Sequence, residues 1–262
     1  MAVLYERGQL KPDSSVWHYL KDFPAKPYRP TVRQVAGHLG GIRHYRGNEN
    51  ESNVRYPDVR SGLNIFKDDT LLCKPGTQYN YSSYGYNLLS AAMESAAGRN
   101  FLELMQSEIF IPMGMTNTIA DHTDSVITGR GRYYLRNGRN APAVDNSYKW
   151  AGGGFLSTAE DLIAFGNGLL TNKVILPETL EMFTASQSLS DGTATGYGMG
   201  FATGTDPSGR AWFGHSGGAV GGTSNLVIYP GSRMVVAILT NVSGADLGPI
   251  TDKVSELFHG RQ

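Results

Sequence analysis

From Tyr197 onward the apolar pattern shifts toward a period of two, in three short runs: Trp212 to His215, Thr223 to Tyr229 and Met234 to Asn241. Such runs, joined by short connections with Pro230-Gly231 as one turn, predict successive antiparallel strands. Asp246 to His259 then reads as a closing amphipathic helix. Upstream the period is helical. Tyr84 to Ala97 carries Tyr86, Leu88, Leu89, Ala92, Met93 and Ala96 on one face and stops at Gly98. Asn100 is placed to cap a second helix through Ile109, and Pro177 to open another. Ser157-Thr158-Ala159-Glu160 reads as a capping box with Ser157 as the cap, starting a helix to about Leu170. Gly131 to Leu135 followed by Asn137-Gly138 reads as a strand entering a hairpin turn. The expectation is an α/β (α+β) chain: one domain over residues 1–262, mostly helical over 1–195, with sheet strands and a C-terminal helix over 196–262.

Composition narrows the function classes. Lys plus Arg equals Asp plus Glu at 23 each, so no basic field exists to attract nucleic acid. The longest apolar run, Met234 to Leu239, is strand-sized, so no transmembrane segment is expected. Met1 to Leu10 becomes charged at Glu6 and Arg7 and shows no targeting signal, which predicts a soluble chain of unassigned compartment. A single cysteine, Cys73, excludes an internal disulfide and reads as a small buried hydrophobe. His38, His44 and His122 show no metal-ligand spacing and read as surface or loop residues, and Lys149 reads as a solvated side chain.

Two short motifs stand out: Tyr81-Ser82-Ser83 just ahead of a helix, and His215-Ser216-Gly217-Gly218 on a strand. With Lys74-Pro75-Gly76 and the stretch Tyr148 to Thr158 between them, their order resembles the serine β-lactamase and penicillin-binding-protein family, class C-like. Val144 to Thr158 is most similar to the mitochondrial serine β-lactamase-like subgroup and its bacterial relatives. The resemblance implies a β-lactamase/transpeptidase-like fold, an antiparallel sheet flanked by helices beside a mostly helical lobe. It also implies acyl hydrolysis of a small-molecule or peptide substrate with an amide or ester carbonyl, without metal or organic cofactor. Tyr81 matches the family's proton-transfer tyrosine, Ser83 stands where asparagine is usual, and His215 takes the place of the strand lysine. Ser216 and Gly217 would meet the substrate, and the Gly218 N–H would be an oxyanion donor.

The family's first motif, Ser-x-x-Lys, is absent: no serine from Ser14 to Ser255 has a lysine three residues on, and Ser147-Tyr148-Lys149 has the wrong spacing. Met1 to Leu10 resembles the tail of the helix that normally carries it. The expectation is therefore an N-terminally truncated chain, inactive alone, lacking a helix, two strands and the nucleophile. The alternatives are a catalytically silent module that binds peptides or partners, and a split protein completed by another chain. A missing strand would leave the edge of Met234 to Asn241 open and allow a homodimer through it. Gly214-x-Ser216-x-Gly218 with Asp246 and His259 also fits a nucleophile elbow, but the residues after Ser216 are strand-like, and 46 are too few for that fold.

Overall fold

A computed structural model describes residues 1–260 of the chain. Short helices open it: α1 (Ala2–Glu6), α2 (Val32–Ala36) and α3 (Val59–Gly62). The longest helix, α4 (Ser83–Ala97), is started by the Ser82 hydroxyl accepting the Gly85 N–H at 2.9 Å and ended by Gly98 at φ 65°. That left-handed angle suits glycine, which has no Cβ to clash. Asn100 caps α5 (Phe101–Met105) through the Leu102 N–H. The predicted run to Ile109 instead widens into a π turn over Gln106–Phe110 before α6 (Ile111–Met113). Pro112 accounts for the change, because its ring and missing N–H disrupt the regular ladder behind it.

The chain then forms β1 (Ile119–Ala120), α7 (Trp150–Gly153) and β2 (Phe155–Leu156), with β1 and β2 paired. α8 (Ala159–Leu170) begins one residue later than expected: the cap is Thr158, whose hydroxyl accepts the Asp161 N–H at 3.2 Å. The Ser157 hydroxyl is instead 2.8 Å from that of Thr118, because the β2 segment carries the extended chain past it. α9 (Pro177–Thr184) opens on proline as expected. The Gly131 to Leu135 segment is not a full strand: Tyr134 makes single bridges to Asn140 and Val242, around a turn with Gly138 at φ 79°.

The four-stranded sheet has the order β3 (Ala202–Thr205), β4 (Ala211–Ala219), β5 (Gly222–Tyr229), β6 (Met234–Thr240), antiparallel throughout. α8 packs closely enough on β6 that a Cβ on Gly166 would meet Val235 at 2.6 Å. α10 (Gly248–His259) also packs on β5 and β6. Phe213, Ile228, Leu169 and Met113 fill one core; a larger one surrounds α4, with Leu88, Leu89, Tyr84 and Val35 fully enclosed. β3 pairs with β4 only as far as Gly214, so among the described residues His215 to Ala219 has a partner on one side only. β6 likewise has no second neighbour over Met234–Thr240 among the described residues; just beyond it, the Tyr134 N–H donates to the Asn241 carbonyl at 2.9 Å. No helix among the described residues is long and apolar enough to cross a membrane.

Candidate active site

The cap of α4 places the first motif. The Ser82 hydroxyl donates to the Arg43 carbonyl at 2.7 Å, tying the start of the helix to the loop that carries His44 and Tyr45. Arg43 is itself fixed, donating to Glu49 at 2.6 and 2.9 Å and to Asp69 at 2.5 Å. Next to this anchor, two successive backbone amides meet imidazoles: the Ser82 N–H donates to His38 Nδ1 at 3.1 Å and the Ser83 N–H to His44 Nδ1 at 3.2 Å. Accepting at Nδ1 sets each neutral ring in the Nε2–H tautomer.

These positions correct the expectation of surface histidines. His38 is 2% exposed, with its ring 4.3 Å from that of Tyr81 and 4.6 Å from that of Tyr197. Its backbone sits at φ 61°, a left-handed angle uncommon outside glycine, just after α2 ends. Burial pushes its pKa down to about 3, with His215 and His44 acting in the same direction. His44 is half-buried, its pKa lowered by burial and by Lys149. His122 is half-buried against Trp150 at 5.4 Å. Cys73 is half-buried and accepts from Asn80 Nδ2 at 3.6 Å.

Lys149 departs furthest from its expected solvated state: it is 4% exposed. The turn that carries it is held from both sides, since the Ser147 hydroxyl accepts the Tyr56 N–H at 2.8 Å and the Tyr148 carbonyl accepts from Asn87 of α4. α7 then lies so close to α4 that a Cβ on Gly152 would sit 2.8 Å from the Ser83 carbonyl oxygen. Burial lowers the Lys149 pKa to about 8, with Asp121 opposing the shift.

Of the predicted site residues, Tyr81, Ser83 and His215 converge. Tyr81 is 41% exposed and its ring centre lies 6.1 Å from that of His215. Ser83 is 5% exposed and stands beside the phenols of Tyr45 and Tyr81, where it lowers the pKa of each against the larger effect of burial. Burial raises the Tyr81 pKa and the Ser83 contact partly offsets this, so the phenol is protonated at neutral pH. His215 is also neutral: Nδ1 donates to the Ser216 carbonyl, Nε2 accepts the Tyr197 hydroxyl at 2.8 Å, and burial lowers its pKa. A lysine at this strand position would bring a charge; His215 brings none. Ser216 and Gly218 are exposed, and strand alternation turns the Ser216 side chain away from the face that His215 occupies. Gly217 lies over Ser224, where a Cβ would meet the hydroxyl at 2.2 Å. Ser216 is followed by more strand, not by a helix, which argues against the nucleophile elbow.

Sequence reasoning did not place His38, His44, Tyr45, Tyr197 or Lys149 in this cluster. Their only local signal is adjacency to motif-like stretches, as Lys149 has to Tyr148.

Comparison with known proteins gives a match to the beta-lactamase family model over residues 1–256. The human mitochondrial serine beta-lactamase-like protein LACTB is 31% identical, with 88% of this chain and 60% of that protein covered. A D-aminopeptidase of Gluconobacter oxydans is 29% identical over 66% of this chain and 33% of that protein. Among solved structures, the octameric penicillin-binding protein homologue from Pyrococcus abyssi superposes with a TM-score of 0.82 at 23% identity, covering 99% of this chain and 62% of its own. A D-stereospecific amidohydrolase from Streptomyces gives a TM-score of 0.81 at 21% identity, covering 99% and 83%. The fold is thus β-lactamase/transpeptidase-like. The chain spans 60% of the length of the human relative.

Proposed function

Because the chain belongs to the beta-lactamase family, we propose that it forms the cleft of a serine-type acyl hydrolase acting on an amide, peptide, ester or β-lactam carbonyl. In this reading the attacking serine and its lysine are supplied by a segment other than these residues, among which no Ser-x-x-Lys occurs. The observation that carries this reading is the meeting of Tyr81 and His215, ring centres 6.1 Å apart, beside a stretch of β4 that has no strand partner on one side among the described residues.

In this reading the β4 edge from His215 to Ala219 takes an extended substrate by strand pairing, with the main chain of Ser216 and Gly217 in contact with it. The Gly218 N–H is one oxyanion donor, and the nucleophile's own N–H is the other. The attacking serine loses its proton as its oxygen bonds to the carbonyl carbon, and that proton reaches the leaving group through Tyr81. Tyr81 acts as the base only when a cation beside it favours phenolate, which is the part assigned to the absent lysine. Ser83 favours the phenolate form of Tyr81 against the effect of burial, and His215, neutral, orders the wall through Tyr197.

Fluorophosphonate labelling read by mass tests the proposal. Residues 1–262 alone are expected to stay unlabelled, and a fusion carrying a family-like segment that ends in Ser-x-x-Lys is expected to label on the new serine. Labelling of the unextended chain at a defined serine overturns the absent-nucleophile reading. Failure of every extended version favours a module that binds peptides or partners without catalysis.

A further inference from the structure

Lys149 is charged, enclosed and unpaired. Its side chain is almost wholly buried, yet its ammonium has no hydrogen-bond or ion-pair partner among the described residues. Asp121, the carboxylate that acts on it, is already bound to Arg130 at 3.1 Å and to Asn146 Nδ2 at 2.7 Å. The faces of Tyr45 and Tyr148, each centred 5.4 Å from Nζ, offset only part of the cost of burying a cation. The ammonium is not sealed in, for it is absent from the buried polar atoms that lack partners.

His44 adds a second free donor. Its Nδ1 is occupied by the Ser83 N–H, which leaves Nε2–H without a partner among the described residues. Lys149 is near enough to disfavour a positive charge on this ring, so His44 meets a ligand as a neutral donor. The ring lies 4.2 Å from that of Tyr45 and edge-on to that of Tyr81 at 5.4 Å, giving the two donors aromatic walls. One positive charge and one neutral N–H match a monoanion; a phosphate dianion would leave charge uncompensated.

We propose that Lys149 and His44 form a binding site for the carboxylate of an aromatic, singly charged organic acid, with the rings of Tyr45 and Tyr81 taking its apolar part. As a statement of substrate class, an acyl compound bearing a carboxylate, this rests on the acyl-hydrolase reading. The binding itself needs no nucleophile, so it is measured separately from turnover.

Calorimetric or NMR titration of the chain with benzoate, and with benzamide as the neutral isostere, tests the site. Benzoate is expected to bind at least tenfold more tightly than benzamide. Lys149→Met should remove that preference and leave benzamide binding unchanged. Should this variant fail to fold, the native chain supplies the test through pH. Benzoate affinity should fall toward tenfold per unit above about pH 8, where Lys149 loses its proton, and benzamide affinity should stay flat. Among the groups around the ammonium, the phenols of Tyr45 and Tyr148 are pushed up by burial, and His44 is pushed down. Asp121 is held by Arg130. Equal binding of benzoate and benzamide, full benzoate binding by a folded Lys149→Met, or tighter binding of inorganic phosphate would each overturn the proposal. Benzoate binding without labelling of any extended chain would keep the site and sink the hydrolase; labelling without benzoate binding would do the reverse.

Discussion

The Ser82 amide donates to His38 Nδ1 at 3.1 Å, so the cap of α4 and the neutral state of a buried imidazole are one arrangement. Protonating His38 would break that bond and charge a ring enclosed by Tyr79, Tyr81, Tyr86 and Tyr197. Its folded pKa of about 3 lies below the ordinary value of 6.5, so the unfolded chain binds the proton first as pH falls. Stability is therefore full above pH 6.5 and is lost progressively toward pH 3. Denaturant unfolding should show His38 contributing a loss of about 2 kcal/mol between pH 7 and pH 5. His38→Asn should flatten that slope; an unchanged slope means the ring titrates normally.

Lys149 has the opposite signature. Its folded pKa of about 8 lies below the ordinary 10.5, so the native state releases its proton before the unfolded chain does. The cost of burying the ammonium is fully present below pH 8 and is relieved between about pH 8 and 10.5, so stability rises through that window. The change attributable to this group is about 2–3 kcal/mol. Lys149→Met should be no less stable than the parent at pH 7 and should lack the alkaline rise. A variant markedly less stable at pH 7 would mean that the ammonium has a stabilising partner.

Tyr81→Phe keeps the ring and removes the proton. In a version extended with a Ser-x-x-Lys segment, turnover of an activated ester should fall by ~10²-fold or more. Ser216→Ala should lower rates only modestly, because its side chain turns away from the face that His215 occupies. Unchanged turnover in Tyr81→Phe removes Tyr81 from the mechanism, and an acyl adduct on Ser216 would revive the nucleophile elbow.

The outer edge of β6 is the expected route to a homodimer, because Met234–Thr240 has no second strand neighbour among the described residues. Sedimentation should show a concentration-dependent dimer that Leu239→Lys, on an exposed residue of that strand, shifts to monomer. A monomer at all concentrations, with the β6 amides fully protected from exchange, would show the edge closed within one chain.

Gly152 tests how tightly α7 lies on α4. A Cβ there would stand 2.8 Å from the Ser83 carbonyl oxygen and 3.1 Å from its Cβ, both on a capped helix start that cannot shift cheaply. Gly152→Ala should destabilise by about 1–3 kcal/mol. It should also reduce labelling of an extended chain, by displacing the helix start that follows Tyr81. A neutral effect on thermal unfolding would show that the contact relaxes.

The sequence by itself determined the elements whose causes are local. Gly98 after an apolar helical face, Asn100 as a cap, Pro177 at a first turn and the apolar strand runs up to Asn241 all act through neighbours a few residues away. The order of the Tyr81 and His215 motifs also carried the family, and the family fixes the sheet that brings them together. Where a local signal was ambiguous, tertiary context decided: Thr158 rather than Ser157 caps α8, because Thr118 takes the serine hydroxyl. Charge states belonged wholly to the fold. Lys149 reads as a surface lysine until Asn87 and Tyr56 anchor its turn against α4, and His38 and His44 read as loop residues until the amides of Ser82 and Ser83 reach them. Whether a side chain is ionised depends on burial and on partners that arrive from distant positions, and no local pattern encodes either.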